Sequence, residues 1–181
     1  MYRAIEAFGQ KHRFEGPVLS ISHSRHLLPL LKVENAVVTD ANYPEINILN
    51  LPFPDESFNL VVSDQVFEHI KGLPSDAFRE TMRVLKPGGW ALHTTCFLTP
   101  YHGPGDYWRF SPEGLRELAL NSGGGEVYAG GHGHPLELIV NVLDWRRLHV
   151  PAASWHPLQK LAAMNRDSYH TNVWVLVRKP A

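Results

Sequence analysis

Cysteine is nearly absent. Cys96 stands alone, so the chain can form no internal disulfide and no cysteine-based zinc cluster. Long apolar runs are missing too. No segment approaches the ~18 consecutive apolar residues of a membrane span. Residues 1–16 mix charges with apolar side chains and lack the unbroken apolar stretch of a signal peptide. A cytoplasmic location is therefore expected. Basic charge is in no excess: 17 Lys and Arg against 18 Asp and Glu leave a net charge of −1. That balance offers no positive field for nucleic acid or an anionic membrane. Three catalytic signatures are also missing: the Gly-x-x-x-x-Gly-Lys-Ser/Thr phosphate cradle, the Gly-x-Ser-x-Gly elbow and a Gly-x-Gly-x-x-Gly loop after the first strand. Their absence argues against P-loop nucleotidase, serine hydrolase and dinucleotide-binding activities.

Histidine, by contrast, is plentiful at 11 residues. The charge should therefore depend strongly on pH below about 6.5. His132 and His134 flank Gly133, while His93 and His102 lie elsewhere. No His-Glu-x-x-His helix supports a metal centre, and none is expected.

A length of 181 residues suits one domain, residues 1–181. A first helix is predicted within Tyr2–Phe14. Strands are predicted at Val18–Ile21, Ala36–Thr39, Ile46–Leu49, Phe58–Val62, Trp90–Leu98, Val127–Ala129 and Val173–Val177. Ser75 reads as the N-cap of a helix whose buried face holds Phe78, Met82 and Leu85, stopped by Pro87-Gly88-Gly89. Ser111-Pro112-Glu113 opens another helix with a cap, a first-turn proline and an acid. Leu136–Leu148 and Leu158–Met164 are helical in pattern. Gly123–Gly125 and Gly130–Gly133 read as loops. Alternating strands and helices argue for an α/β fold with a mainly parallel sheet covered on both faces.

Such sheets hold ligands beyond the carboxyl ends of their strands. The Phe58–Val62 strand stops on Ser63, Asp64 and Gln65, and Glu68-His69-Ile70 follows. Asp40, at the end of the second strand, can accept hydrogen bonds from two sugar hydroxyls or serve as a turn residue. Asn47 and Asn50 suit a turn or a polar contact, and Leu51 an apolar wall or the core. His102–Gly114 combines aromatic planes with Asp106 and Arg109. It suits a lid over an acceptor pocket, or a plug tied by an Asp106–Arg109 pair; the two are compatible.

The run Leu51–Ile70 resembles the fourth-strand region of class I S-adenosylmethionine-dependent methyltransferases, in which a Leu-Pro-Phe turn, a Ser-Phe-Asp-x-Val strand and a Glu-His pair succeed one another. Val84-Leu85-Lys86-Pro87-Gly88-Gly89 is similar to the helix-to-strand junction of these enzymes. Asp106-Tyr107-Trp108-Arg109-Phe110 is similar to a loop in a bacterial subgroup related to type 11. The resemblance implies a Rossmann-like seven-stranded sheet with an antiparallel last strand, and S-adenosylmethionine as cofactor. It places Ser20, Ser22 and His23 where the family has Asp-x-Gly-x-Gly. It sets Asp40 at the ribose, Asn47 and Leu51 at the adenine, and Asp64 and Gln65 at the methionine end. His69, Tyr107 and Arg109 would face a small or saccharide-like acceptor. A homodimer that completes one edge of the pocket is compatible with it. The lost glycines leave a second expectation open: a catalytically degenerate member that works as a binding or regulatory partner.

Overall fold

The computed structural model describes residues 1–142, 156–157, 160 and 163–181. The chain runs α1 (Tyr2–Gly9), β1 (Val18–Ile21), β2 (Val38–Ala41), β3 (Phe58–Asp64), α2 (Pro74–Val84), β4 (Leu85–Cys96), α3 (Pro112–Asn121), β5 (Glu126–His132), α4 (Pro135–Val142) and β6 (Asn172–Arg178). Single 3₁₀ turns lie at Ser24–Leu27 and Phe67–His69.

The described strands form one six-stranded sheet of order β2-β1-β3-β4-β6-β5. β1 to β4 run parallel, and β6 runs antiparallel to both of its neighbours. Side-chain alternation divides the core in two. Leu60, Val62, Leu92 and Leu176 point toward α1 and join Ile5, Leu27 and Leu31. Val61, Ala91, Val175 and Val177 point the other way, onto Phe78 of α2 and Leu115 and Ala119 of α3. Gly9 lets α1 lie against the Leu27–Leu31 segment, because a Cβ there would sit 2.4 Å from the Leu30 carbonyl oxygen.

Several elements differ from the sequence expectation. The sheet has six described strands, one fewer than the resemblance implies, because Ile46–Leu49 is a turn. The Asn47 side chain accepts from the Leu49 N–H at 3.0 Å, and the Asn47 carbonyl accepts from the Asn50 N–H at 3.0 Å. That local bonding competes with a strand ladder. α2 starts at Pro74 with Leu73 as an uncapped N-cap, so Ser75 lies inside the helix. Proline's fixed φ suits the first helical position. Pro87-Gly88-Gly89 lies within β4 as an irregularity, the pairing with β3 shifting between Phe58 and Leu60. Gly130, Gly131 and His132 continue β5, where bare glycine backbone admits the Trp174 and His170 rings. Of the helical pattern at 136–148, residues 143–148 lie outside the described residues, as does most of 158–164.

Ser111 does cap α3. Its hydroxyl accepts from the Gly114 N–H at 3.0 Å, with Pro112 and Glu113 in the first turn. Ser111→Ala should cost about 1 kcal/mol of stability in urea denaturation. An unchanged midpoint would show that the helix end does not rely on this cap.

Candidate functional site

The carboxyl ends of β1, β2, β3 and β4 meet at one edge, with Ile21 beside Ala41 and Ser63, and Asp64 beside Thr94. Three hollows open there. The first, about 490 Å³, lies among Ser22, Asn47, Ile48, Val66, His69 and Tyr107. A second, about 720 Å³, is bounded by Tyr2, His132 and Glu137. A third, about 320 Å³, is bounded by Glu68, Cys96, His102 and Asn172. Gln65 borders all three. Its backbone is left-handed (φ 54°), and its N–H donates to the Thr94 carbonyl at 3.0 Å.

The loop after β1 makes its turn without glycine. Ser22 and His23 take φ values of 51° and 63°, a strain of about 1–3 kcal/mol each that surrounding bonds must hold. The Ser22 N–H donates to the Ala41 carbonyl at 3.0 Å, and the His23 N–H to Asn42 Oδ1 at 2.9 Å. The buried Ser24 hydroxyl donates to the Ile21 carbonyl and accepts from the Asp64 N–H at 2.8 Å, lacing the loop to β3. His23 is exposed and stays out of the first hollow, while Ser22 lines it. Ser20 is buried beneath the loop.

Asp40 and Asp64 already have partners. Arg25 clasps Asp40 through Nε at 2.8 Å and Nη2 at 2.5 Å. That hydrogen bonding, offset partly by desolvation, holds the Asp40 carboxyl below its ordinary pKa. Asp64 accepts from Tyr2 Oη at 2.9 Å, from His26 Nε2 at 2.7 Å and from the Thr94 hydroxyl. Burial first, and then Asp64, push the Tyr2 phenol above its ordinary pKa.

The 3₁₀ turn after β3 sinks Phe67 and Glu68 and leaves His69 exposed. Glu68 Oε2 accepts from the Thr95 hydroxyl at 2.8 Å. Burial raises the Glu68 carboxyl, with hydrogen bonding acting against it. The aromatic loop is pinned onto this turn. The Tyr107 and Trp108 N–H groups donate to the Glu68 carbonyl at 2.8 and 3.1 Å, and Trp108 Nε1 donates to the Ile70 carbonyl at 2.9 Å. Arg109 forks onto Asp106, whose carboxyl is pulled down to about 2, mainly by that bonding. Arg109 also donates to the Trp108 carbonyl at 2.8 Å. The expected ion pair ties the loop, and Gly105 and Tyr107 wall the first hollow.

Of the residues singled out from sequence, Ser22, Asn47, Gln65, His69 and Tyr107 come together around this hollow. Leu51 does not: it is core, 3% exposed, with its N–H donating to Glu80 Oε2 at 2.9 Å. Arg109 serves the loop, and Asp40, Asp64, Ser20 and His23 stand outside the lining. Sequence reasoning missed Tyr43, Val66 and Lys71, which lie in irregular segments, and Ile48, which it read as part of a strand. It also missed the approach of His102 to His69, with ring centres 5.1 Å apart across the loop.

Comparison with known proteins agrees with this architecture. A family model described as a methyltransferase domain (type 11) matches residues 6–93. An uncharacterized methyltransferase of Schizosaccharomyces pombe is 34% identical over 86 residues, 42% of this chain and 30% of that protein. One of Mycolicibacterium paratuberculosis is 36% identical over 86 residues, 47% of this chain and 31% of that protein. The match thus spans about a third of each curated relative. Phosphoethanolamine N-methyltransferase 2 of Haemonchus contortus, solved with phosphomonomethylethanolamine and S-adenosylhomocysteine, superposes with a TM-score of 0.62 at 15% identity, covering 99% of this chain and 52% of that one. A methyltransferase structure from Bacillus halodurans gives 0.59 at 16% identity, covering 98% and 99%. The chain therefore has the Rossmann-like methyltransferase fold. The family model covers residues 6–93, about its first half.

Proposed function

We propose that this chain transfers a methyl group from S-adenosylmethionine to a small-molecule or saccharide-like acceptor. One observation carries the proposal: the hollow of about 490 Å³ over the strand tips, which shares Gln65 and His69 with the third hollow. Its size lies within the range of about 300–1,000 Å³ usual for small-ligand sites. The chain resembles a family that uses this cofactor, and structural neighbours were crystallised with it or its product.

When bound, the cofactor supplies an electrophilic sulfonium methyl, and its displacement needs alignment more than acid–base help. Asn47 offers a side-chain amide to the adenine amino group. Ile48 and Val66 supply apolar surface, and Gln65 separates the donor side from the acceptor side. His69 and Tyr107 border the acceptor and hold it in line. His69 Nδ1 lies 2.8 Å from the Gly105 carbonyl, which can only accept, so that nitrogen carries a proton and the contact fixes the ring beside the acceptor.

Asp40 reaches the ribose only by sharing its carboxylate with Arg25 or displacing it. Two variants therefore act in opposite directions. In isothermal titration with S-adenosylmethionine, Asp40→Ala should weaken binding by about 10–100-fold, the worth of hydrogen bonds to a charged group. Arg25→Ala, which frees the carboxylate, should tighten it. No heat from the unaltered chain at millimolar ligand would overturn the proposal and leave a non-catalytic scaffold of the same fold.

A further inference from the structure

We propose that Glu68, His69 and His102 form a site for one divalent transition-metal ion of the kind that favours imidazole, such as zinc. One donor atom from each residue lies within 4.8 Å of the other two. A tetrahedral ion with bonds of about 2.1 Å needs donors about 3.4 Å apart, so the side chains must draw in by about an ångström. Both imidazoles are exposed and can do so.

Proximity alone would carry little. The second observation is how the histidines are held. His69 Nδ1 sits 2.8 Å from the Gly105 carbonyl, and His102 Nδ1 sits 3.2 Å from Asp106 Oδ2. A carbonyl and a carboxylate only accept, so each ring carries its proton on Nδ1 and keeps the Nε2 lone pair. Metal-binding histidines are oriented in the same way, the far N–H given to a carboxylate or a backbone carbonyl. Asp106 is itself fixed by Arg109, and its side chain is 1% exposed, so the support is rigid. Arg109 spends its charge on that carboxylate.

The third ligand is in place. Glu68 is 1% exposed, and the Thr95 hydroxyl donates to its Oε2 and fixes the carboxylate. Two imidazoles and one carboxylate make a recognised ligand set for zinc and neighbouring ions, with positions left open. All three residues line the third hollow, about 320 Å³. The ion's open positions would face an oxygen or nitrogen ligand there, and on the methyl-transfer reading that ligand is the acceptor. No sequence motif marks this group, because its histidines are far apart along the chain.

The test titrates zinc chloride by calorimetry into the full chain after chelator treatment, with no S-adenosylmethionine present. Its failure is thus separate from failure of the methyl-transfer proposal. One equivalent should bind, and Glu68→Gln and His102→Gln should each weaken it at least about 100-fold. Cobalt should give visible absorption that both variants lose. His134→Gln, outside the lining of this hollow, should leave the binding unchanged. If either ligand variant loses its circular dichroism signature, His69→Gln replaces it, since that side chain is exposed. Binding that persists in the ligand variants, vanishes with His134→Gln, or is absent below millimolar zinc would overturn the proposal.

Discussion

From pH 8 to pH 5 the protein should lose about 2 kcal/mol of stability through His93 alone. The ring is fully buried, and burial pushes its pKa down to about 3. In the unfolded chain an imidazole takes up its proton near pH 6.5. Below that pH the unfolded state binds the extra proton. The contribution is therefore complete above about 6.5 and falls by about 1.4 kcal/mol per pH unit until about pH 3. Folded His93 stays neutral, with Nδ1 2.7 Å from the Ser63 hydroxyl and its ring packed against both Phe67 and Phe78. His93→Leu should remove this slope. At pH 8 it should cost about 1–3 kcal/mol, because the Ser63 hydroxyl loses its partner. Urea denaturation of both proteins at pH 8, 6.5 and 5 gives the comparison. Parallel pH profiles would show that the other histidines, not His93, set the acid response.

Phe67→Ala should be the most damaging single change, at about 3–5 kcal/mol, the usual cost of emptying a buried aromatic site. Phe67 is 0% exposed, with ring centres 4.8 Å from Phe78 and 4.7 Å from His93. It also anchors the turn that carries Glu68 and His69 and receives the aromatic loop. The cavity should therefore loosen the site as well as the core. Where the variant stays folded, zinc and S-adenosylmethionine should both bind more weakly than in Phe67→Leu, which keeps an apolar branch. A loss under 1 kcal/mol in urea would show that the ring is not a keystone.

The fold was largely legible because its strands are short apolar runs that end abruptly. Phe58–Asp64 and Asn172–Arg178 need no partner information to be recognised, and the Ser111 cap follows from side-chain chemistry. Ile46–Leu49 was misread because its apolar residues suit a strand. The Asn47 hydrogen bonds that fold it into a turn are decided by geometry. Site residues were legible where they lie next to a strand tip, as Ser22, Gln65 and His69 do. Asp40 and Asp64 were chosen for their chemistry, but sequence cannot show that Arg25 and Tyr2 hold them, whereas the Asp106–Arg109 pair lies within one loop and was read from it. The meeting of His69 with His102 depends on the path of a loop, and no local pattern encodes that.

Arg25 has a second duty. Besides clasping Asp40, its Nη2 lies 3.3 Å from the Val38 carbonyl, on the outermost strand of the sheet. That carbonyl faces away from β1, where another chain could dock as an added strand. The guanidinium thus shields a sticky rim while it occupies the Asp40 carboxylate. Arg25→Ala should gain ligand affinity and lose resistance to self-association, so its light scattering should rise with concentration faster than that of the parent chain.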